Sequence, residues 1–377
     1  MGRASLSMTE REAYIALNMM EGIGPVGVRA LIERLGSPQA IFEAAREELL
    51  SAEGIGSVVA DKIVEQRASA RPADELKRAA KLGATIITRA DAEYPGELAG
   101  IHDPPLALYV LGNLLPVDRH AIGVVGSRHT TFYGRETAES LSYQLAHAGF
   151  TVVSGLARGI DTAAHHGALK ARGRTIAVLG GGFAHIFPPE NRPLAMEIAK
   201  HGAVLSEFPV ERQPDKTTFP IRNRIVSGLS RGVVVVEAGL MSGALITANQ
   251  ALEQGRAVFA VPGRIDSPGS KGVHRLIKNG ARLVENVDDI LQEFEFLLPR
   301  PAPPKPVAGS GLFTPLDPDE EKIVRCLEDG EKNADEIIRQ TGIGANRFGA
   351  VLLGLEMKKI VRLQPGRMVH LRTRGQT

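Results

Sequence analysis

Residues 122–161 read IGVVGSRHTTFYGRETAESLSYQLAHAGFTVVSGLARGID, and this stretch decides the fold. Two short runs rich in β-branched residues, Ile122–Val125 and Thr151–Val153, each stop at a glycine-rich turn. Such runs are typical of buried strands in a parallel sheet. Glycine lets the turn expose its N–H groups, a following helix adds its positive end, and Arg128 and Arg158 add fixed charges. The pattern predicts a phosphate-binding site at the carboxyl edge of an α/β sheet.

The same alternation of apolar runs and helical segments continues across residues 84–298. The runs lie at Thr85–Thr88, Ala107–Leu111, Ile122–Val125, Thr151–Val153, Thr175–Leu179, Ala203–Leu205, Val233–Val236, Ala257–Val261 and Arg282–Val284. The helical segments include Gly134–Ala148, Ile160–Ala171, Arg192–His201, Ala244–Gln254 and Val273–Asn279. This order predicts a Rossmann-like domain of class α/β, with a doubly wound, mostly parallel sheet and right-handed crossovers.

Residues 1–83 are predicted to form a helical domain with an internal repeat. Glu21-Gly22-Ile23-Gly24-Pro25 returns as Glu53-Gly54-Ile55-Gly56-Ser57, and amphipathic stretches flank each copy. The pattern predicts two helix-hairpin-helix units, which resemble the SAM-like modules of DNA-handling proteins. Gly22, Gly24 and Gly27 also fit G-x-G-x-x-G, but a helix rather than a strand precedes them, so we reject a dinucleotide site. Phosphate-binding hairpins and a helical packing module without a ligand remain equal alternatives.

The C-terminal part is predicted to be a separate small domain behind a linker. Residues 299–316 contain five prolines in quick succession and then Gly309-Ser310-Gly311, which suits a partly stiff spacer. Residues 317–377 are predicted to form a winged-helix domain. Its predicted helices and hairpin strands are Glu320–Leu327, Ala334–Thr341, Asn346–Met357, Ile360–Leu363 and Met368–Leu371.

The composition is that of a globular protein with no strong overall charge. Charged residues make up 23% of the chain and the net charge is +2, so an anionic partner must be met by a local cluster of cations. Cys326 is the only cysteine, which excludes a disulfide framework and predicts a cytoplasmic location. We find neither the apolar stretch of a signal peptide nor the ~20 apolar residues of a membrane span.

A second motif, Phe219-Pro220-Ile221-Arg222-Asn223-Arg224, supplies cations and an aromatic ring. Pro220 suits the first turn of a helix. On that helix Arg222 and Arg224 lie about 200° apart, so we expect one to face a ligand and the other to pair internally, with Glu207 or Glu237. Arg128, Lys216 and one of these arginines would form a basic pocket, where Phe219 stacks on a base for ~1–3 kcal/mol. The alternative makes Phe219 a core residue and the arginines structural ion pairs.

A third turn follows the run Val233–Val236. Ser242-Gly243 stands at the predicted N-terminus of a helix, where free N–H groups favour phosphate. Ordinary capping of a crossover helix is the alternative there. For Asp161, at the start of its own helix, capping is the better interpretation.

Signatures of several enzyme classes are absent, so we predict a binding protein without catalytic residues, cofactor or metal. The sequence has no G-x-x-x-x-G-K-[ST] loop for nucleoside triphosphates and no G-x-S-x-G elbow. His165 and His166 are adjacent and point different ways on a helix, which makes them poor paired metal ligands.

These motifs together resemble the DNA-processing protein A (DprA, or Smf) family. The resemblance covers the whole predicted Rossmann-like domain in order. The matching segments are Tyr94-Pro95, Asp103-Pro104-Pro105, Leu108-Tyr109, Val125 to Arg128, Tyr133-Gly134, Ser154 to Asp161, Ala164-His165, Phe187 to Asn191, Ser206-Glu207, Phe219 to Arg224, Glu237-Ala238, Ser242 to Ala248, Gly255-Arg256 and Val261-Pro262-Gly263. One departure is His274, where many members carry Asn within Ser-x-Gly-x-Asn-x-Leu-Ile.

The resemblance implies a non-enzymatic protein that binds single-stranded DNA without sequence preference. It also implies a homodimer through the Rossmann-like domain and transfer of transforming DNA to RecA. Family contact positions match Arg128, Lys216 and Phe219, with backbone contacts near Gly126, Ser127 and Gly243. With the residues singled out above, the candidate DNA-binding set is Gly126, Ser127, Arg128, Gly155, Lys216, Phe219, Arg222, Arg224, Ser242 and Gly243.

Two other functions are weighed against this one. The related lysine-decarboxylase-like enzymes cleave nucleoside monophosphates and carry P-G-G-x-G-T-x-x-E, of which this chain has only Pro262-Gly263 followed by Arg264. Glu237 is the one carboxylate at a strand end that would suit such chemistry, and we prefer to pair it with Arg222 or Arg224. A scaffold that binds protein partners through the terminal domains is the third possibility.

Overall fold

The computed structural model describes residues 8–294, 317–327, 330–357, 360–364 and 368–371. The chain divides into two compact units, Met1–Pro299 and Arg300–Thr377. The predicted linker at 299–316 lies outside the described residues, and the predicted domain boundaries stay predictions. No helix in the described ranges is long and apolar enough to cross a membrane.

The helical part of the first unit contains the predicted repeat. Gly22 and Gly54 have φ angles of +87° and +76°, a left-handed conformation that glycine adopts without strain, and each lies in the turn of one copy. Leu17, Leu31 and Ile63 form the centre of its core. Its helices are α1 (Glu10–Asn18), α2 (Pro25–Leu35), α3 (Ala40–Glu43), α4 (Arg46–Leu50), α5 (Ser57–Gln66) and α6 (Pro72–Lys81).

Nine strands form one sheet in the rest of this unit. They are β1 (Thr85–Thr88), β2 (Ala107–Gly112), β3 (Ala121–Val125), β4 (Thr151–Ser154), β5 (Thr175–Val178), β6 (Ala203–Ser206), β7 (Gly232–Val235), β8 (Ala257–Ala260) and β9 (Arg282–Leu283). The helices between them are α7 (Gly96–Ala99), α8 (Phe132–His147), α9 (Ile160–Lys170), α10 (Arg192–His201), α11 (Thr218–Leu229), α12 (Gly243–Glu253) and α13 (Lys271–Lys278), and α14 (Asp288–Leu291) follows β9.

The strand order, β1-β2-β6-β5-β4-β3-β7-β8-β9, confirms a doubly wound and mostly parallel sheet. Strands β3 to β9 pair in parallel, whereas β1 and β2 run antiparallel along one edge. The chain winds from β3 out to β6 and then crosses back to place β7 beside β3. The carboxyl ends of β3 and β7 therefore flank the point where the winding direction reverses, the usual ligand crevice of such sheets.

Helices cover both faces of the sheet, which explains the continuous apolar runs of its central strands. Along β3, Ile122 and Val124 pack on the face covered by α8 and α9. Ala121 and Val125 pack on the opposite face, against α11 and α12.

The second unit has the predicted winged-helix arrangement of three helices and a hairpin. Its helices are α15 (Pro318–Cys326), α16 (Ala334–Thr341) and α17 (Ala345–Met357). Its strands are β10 (Lys332–Asn333), β11 (Val361–Gln364) and β12 (Met368–Leu371), in the order β10-β12-β11. Sequence periodicity missed β10 because two residues are too few to show alternation. Ile323, Ile337 and Leu355 form the centre of its core.

Candidate nucleic-acid interface

A cavity of about 810 Å³ opens at the switch point between β3 and β7. It brings together every predicted site residue except one. Those that line it are Gly126, Ser127, Arg128, Gly155, Lys216, Phe219, Arg222, Ser242 and Gly243. Residues 100 positions apart meet here because their loops all leave the carboxyl edge of the sheet.

The turn after β3 is tied to the loop after β7. The Ser127 N–H donates to the Glu237 carbonyl at 2.6 Å. A Cβ at Gly126 would lie 2.5 Å from Ile160 Cγ1 and 2.9 Å from that same carbonyl, so only glycine fits between the two elements. The Ser127 amide is thus used inside the protein, which corrects the expectation that this turn presents it to phosphate.

The turn after β4 is closed in a similar way by Asp161. Its Oδ2 accepts from the N–H of Gly155 at 3.1 Å and of Ala157 at 3.3 Å. Burial raises the pKa of the Asp161 carboxyl, against the opposing effect of Arg222 and these two amides. Asp161 therefore has a structural role, but the capping interpretation is wrong: the N-cap of α9 is Gly159, and Asp161 binds the loop that precedes the helix. The amides it binds are not presented to the cavity.

Helix α12 presents its first turn to the cavity. The Ser242 Oγ accepts from the Ala244 N–H at 3.3 Å, an N-cap. Gly243 is exposed and lines the cavity at the first helical position. Because the first N–H groups of a helix have no partners within the helix, this end keeps donors and a partial positive charge.

Arg222 and Arg224 separate as their positions on α11 predict. Arg222 is 4% exposed, and its Nη1 donates to the carbonyls of Gly155 and Val178. No carboxylate of the described residues forms a salt bridge with it. Burial lowers the pKa of Arg222 to about 10, partly offset by Asp161. The protein therefore buries a cation at the cavity wall with carbonyls rather than a carboxylate as partners.

Arg224 does not line the cavity, which corrects its place in the candidate set. Its Nη2 donates to Glu207 Oε2 at 2.6 Å and its Nε to Asp103 Oδ2 at 2.8 Å. The side chain is 4% exposed. The reason is helix geometry: two residues beyond Arg222, it points to the opposite side of α11 and pairs internally.

Two exposed cations share the cavity with an aromatic ring. Arg128 and Lys216 are exposed at the cavity, and Phe219 is half-buried. The Arg128 Cζ lies 4.9 Å from the centroid of the Phe219 ring, a cation–π arrangement. A Cβ at Gly180 would lie 2.6 Å from Phe219 Cδ1, so the ring rests against bare backbone. Phe219 is therefore a surface ring beside a cation, not a core residue.

Glu237 does not pair with either arginine, contrary to the sequence-based expectation. Its Oε2 accepts from Thr130 Oγ1 at 2.7 Å, from the Thr131 N–H at 3.0 Å and from Thr131 Oγ1 at 3.2 Å. These bonds anchor the 126–131 loop that carries Arg128. Glu237 is 7% exposed and is absent from the cavity wall.

Sequence reasoning missed other residues of the cavity wall, among them Lys271 and Met241. Lys271 stands at the start of α13, and its Nζ donates to the Ile265 carbonyl at 2.6 Å. Met241 is 97% exposed, at the tip of the loop that precedes α12. Lys271 follows no glycine-rich turn of the pattern that we searched, although it lies within the family-like segment that contains His274. Met241 lies in the third turn, directly before Ser242, but an apolar side chain there matches no phosphate-binding pattern.

Comparisons with protein families agree with this architecture. The sequence profile described as DNA recombination-mediator protein A matches residues 85–295. A SAM-like helix-hairpin-helix tandem matches residues 14–68, and a DprA winged helix domain matches residues 300–367.

Individual relatives share much of the chain. The chain is 34% identical to the protein Smf of Synechocystis, over 96% of this chain and 98% of the relative. It resembles the X-ray structure of DNA processing protein A from Streptococcus pneumoniae with a TM-score of 0.67 and 36% identity, over 76% of this chain and 99% of that one. It also resembles DNA processing protein A from Helicobacter pylori, whose structure was described for its single-stranded DNA binding mode. That match has a TM-score of 0.52 and 28% identity, over 57% of this chain and 97% of the other.

Proposed function

The chain belongs to the DNA recombination-mediator protein A family, and from this premise we propose that it binds single-stranded DNA in the cavity between β3 and β7. A role in DNA processing follows from the family itself. The proposed contacts are the side chains of Arg128, Lys216, Phe219 and Arg222 and the first turn of α12 at Ser242 and Gly243.

One observation carries the proposal: the buried Arg222 guanidinium forms no salt bridge or hydrogen bond with a carboxylate of the described residues, and it faces the same cavity as two exposed cations, Arg128 and Lys216. An anion placed among them would be held by three positive charges and by the first turn of α12. A DNA phosphate is such an anion. The arrangement therefore supports a site that grips the backbone of the strand.

Phe219 supports single-stranded over duplex DNA. A half-buried ring beside the phosphate site can stack on a base only if that base is free of its own partner strand. Every base has a π-face, so stacking of this kind distinguishes strandedness and not sequence. We therefore propose binding without sequence preference.

The finer biological role is also a proposal, and it rests on the family alone. We propose that the protein acts as a homodimer through its Rossmann-like domain, protects incoming DNA and loads RecA during natural transformation. Two cavities in one dimer would hold a longer strand by raising the effective concentration of the second contact.

We further propose that the protein turns over no substrate. Glu237, the carboxylate that glycosidic cleavage would need, is engaged by the hydroxyl of Thr130 and by two groups of Thr131. These hydrogen bonds to Oε2 hold the 126–131 loop in place, which is a structural role and not proton transfer at a sugar.

The test is a titration of labelled oligo-dT and of a blunt duplex of equal length, at several salt concentrations. We expect the single strand to bind more tightly. Three cations at the phosphate site predict that log K falls with log[salt] with a slope of about −2, because each neutralised single-strand phosphate contributes about −0.7. Equal affinity for both DNAs, or no salt dependence, contradicts the proposal.

A further inference from the structure

A second arginine–aromatic pair lies beside the first. The Arg158 Cζ stands 5.9 Å from the centroid of the Phe187 ring, as Arg128 stands over Phe219. The two rings are neighbours, with centroids 5.9 Å apart and planes tilted by 50°. Because β3 and β4 are adjacent parallel strands, the arginines in the turns that follow them come to lie side by side.

Phe187 is available for contact. Its side chain is 42% exposed, so part of the ring is accessible to a ligand. Phe187 and Arg158 line a small cavity of about 60 Å³ that shares Arg128, Phe219 and Arg222 with the large one. The two cavities therefore meet at Phe219.

We propose that Phe187 and Arg158 form a second nucleotide-binding position, where the base next to the one at Phe219 stacks on Phe187 and its phosphate is met by Arg158. The proposal rests on the proposed function and extends it by one step along the strand. It gives a role to the Phe187 to Asn191 segment, which the cavity between β3 and β7 does not use.

The distance and the tilt between the two rings determine how the strand would lie on them. Successive bases in a B-form strand are about 3.4 Å apart and parallel. Rings 5.9 Å apart and tilted by 50° cannot receive two such bases unless the strand is stretched and its bases are unstacked. A duplex resists that distortion, so the second position strengthens the preference for single strands.

An acidic side chain competes with phosphate for Arg158. The Arg158 Nε donates to Glu190 Oε1, and both side chains are more than half exposed. A phosphate at this position must compete with Glu190 for the guanidinium and must approach a carboxylate. Glu190→Gln removes both obstacles, so this variant should bind single-stranded DNA up to about 5-fold more tightly. A purely structural Arg158–Glu190 pair predicts no such gain.

The decisive experiment compares oligo-dT with a strand of equal length that carries the same sugar–phosphate backbone without bases. Phe187→Ala should weaken oligo-dT binding about 5- to 10-fold and leave binding of the base-free strand unchanged, because stacking needs a base. Phe187→Tyr keeps an aromatic ring and should bind oligo-dT as the wild type does. The control is Tyr143→Ala, a ring of matched exposure (43%) at the far end of α8.

A fluorescent reporter tests the contact directly. The chain has no tryptophan, so Phe187→Trp introduces a single one. We expect oligo-dT to quench its emission and the base-free strand to leave it unchanged, while Tyr143→Trp responds to neither.

The outcomes separate the two proposals. If Phe187→Ala weakens both strands equally, or Phe187→Trp is not quenched, then Phe187 only supports Phe219 and the second position is wrong. If the wild type fails to bind oligo-dT, or Phe219→Ala binds as the wild type does, then the proposed function itself is wrong.

Discussion

At the scale of single residues, the three cations proposed to bind phosphate are one buried and two exposed side chains. Arg222 is fixed by two backbone carbonyls and cannot move away from the cavity wall. Arg128 and Lys216 are exposed and free to adapt to a ligand. Such a division places one cation in advance, which lowers the ordering cost of binding, and leaves the others to follow the strand.

Removal of the exposed cations should weaken DNA binding strongly without affecting the fold. Arg128→Ala and Lys216→Glu take away charge but no core packing, so we expect at least tenfold weaker oligo-dT binding and unchanged Tm. Titration and thermal melting of the same samples check this. Arg172→Ala and Lys81→Glu are matched controls, since both residues are exposed and outside the cavity wall. Wild-type affinity in both site variants would remove these cations from the site.

The buried environment of the His165 ring predicts that acid destabilises the fold. Its Nδ1 lies 2.7 Å from Thr175 Oγ1, whose hydroxyl proton goes to the Val152 carbonyl at 2.8 Å, so Nδ1 carries the hydrogen and the ring is neutral. Its Nε2 is buried without a hydrogen-bond partner. Burial lowers the pKa of His165 to about 3, with His166 and Arg222 adding to the effect. A proton on Nε2 would find no acceptor there.

Proton linkage determines whether the free energy of unfolding rises or falls with pH. Between pH 6.5 and about 3 the unfolded chain binds a proton at His165 that the folded chain does not, so the free energy of unfolding falls as pH falls. We expect His165 to contribute about 1.4 kcal/mol per pH unit within that window. Urea denaturation at several pH values should show a shallower dependence for His165→Gln. Identical slopes in the wild type and His165→Gln would contradict this account.

At the scale of elements, the site depends on a junction between two loops. The turn after β3 and the loop after β7 are joined by the Ser127–Glu237 backbone bond and by the three bonds to Glu237 Oε2. These contacts fix the 126–131 loop and through it the position of Arg128. The junction spans the switch point of the sheet, so binding should depend on a residue that never touches the ligand.

Glu237→Ala tests this junction. Loss of the acceptor leaves Thr130 and the Thr131 amide unpaired, which we expect to cost about 1–3 kcal/mol of stability and to weaken oligo-dT binding through a loosened loop. Glu237→Gln keeps an oxygen acceptor and should lie between the wild type and the alanine variant. Incubation with AMP followed by chromatography completes the test. Adenine that is released by the wild type and not by Glu237→Ala would favour the nucleotide-cleaving enzyme.

At the scale of the whole molecule, the N-terminal helices and the sheet form one compact unit. Glu75 on α6 is 1% exposed and accepts from the Tyr109 hydroxyl at 2.9 Å and the Val210 N–H at 2.7 Å. Asn18 on α1 donates to the Glu207 carbonyl at 2.9 Å. Ile15 belongs to the same apolar cluster as Tyr109. The helices therefore close one side of the sheet.

This packing sets the size of a stable fragment. We expect residues 1–299 to fold, dimerise and bind oligo-dT. We expect residues 84–298 to melt at a lower temperature, because removal of the helices exposes the apolar cluster around Tyr109 to water and takes away the Glu75 acceptor. Light scattering, thermal melting and titration of both fragments check this. Equal Tm values would show that the helices add no stability to the sheet.

The sequence by itself determined the local elements and the approximate place of the site. Apolar runs predicted the strands of the sheet to within a residue or two, because hydrophobic burial acts through residues close together in the chain. The two glycine-rich turns and the helix start at Ser242 marked the loops that line the cavity. The separation of Arg222 from Arg224 followed from helix geometry alone.

Only the tertiary structure decided which group binds which. In the structure Glu237 accepts hydrogen bonds from Thr130 and Thr131 and not from an arginine. The amides of Ser127 and Gly155 donate to acceptors inside the protein. The tertiary structure also brought Lys271 to the cavity and Phe187 to Phe219. Such partners are separated by tens of residues and meet only when the strands have taken their order in the sheet. No local pattern in the sequence encodes the order of the strands. Nor does it encode whether a turn uses its N–H donors inside the protein or leaves them for a ligand.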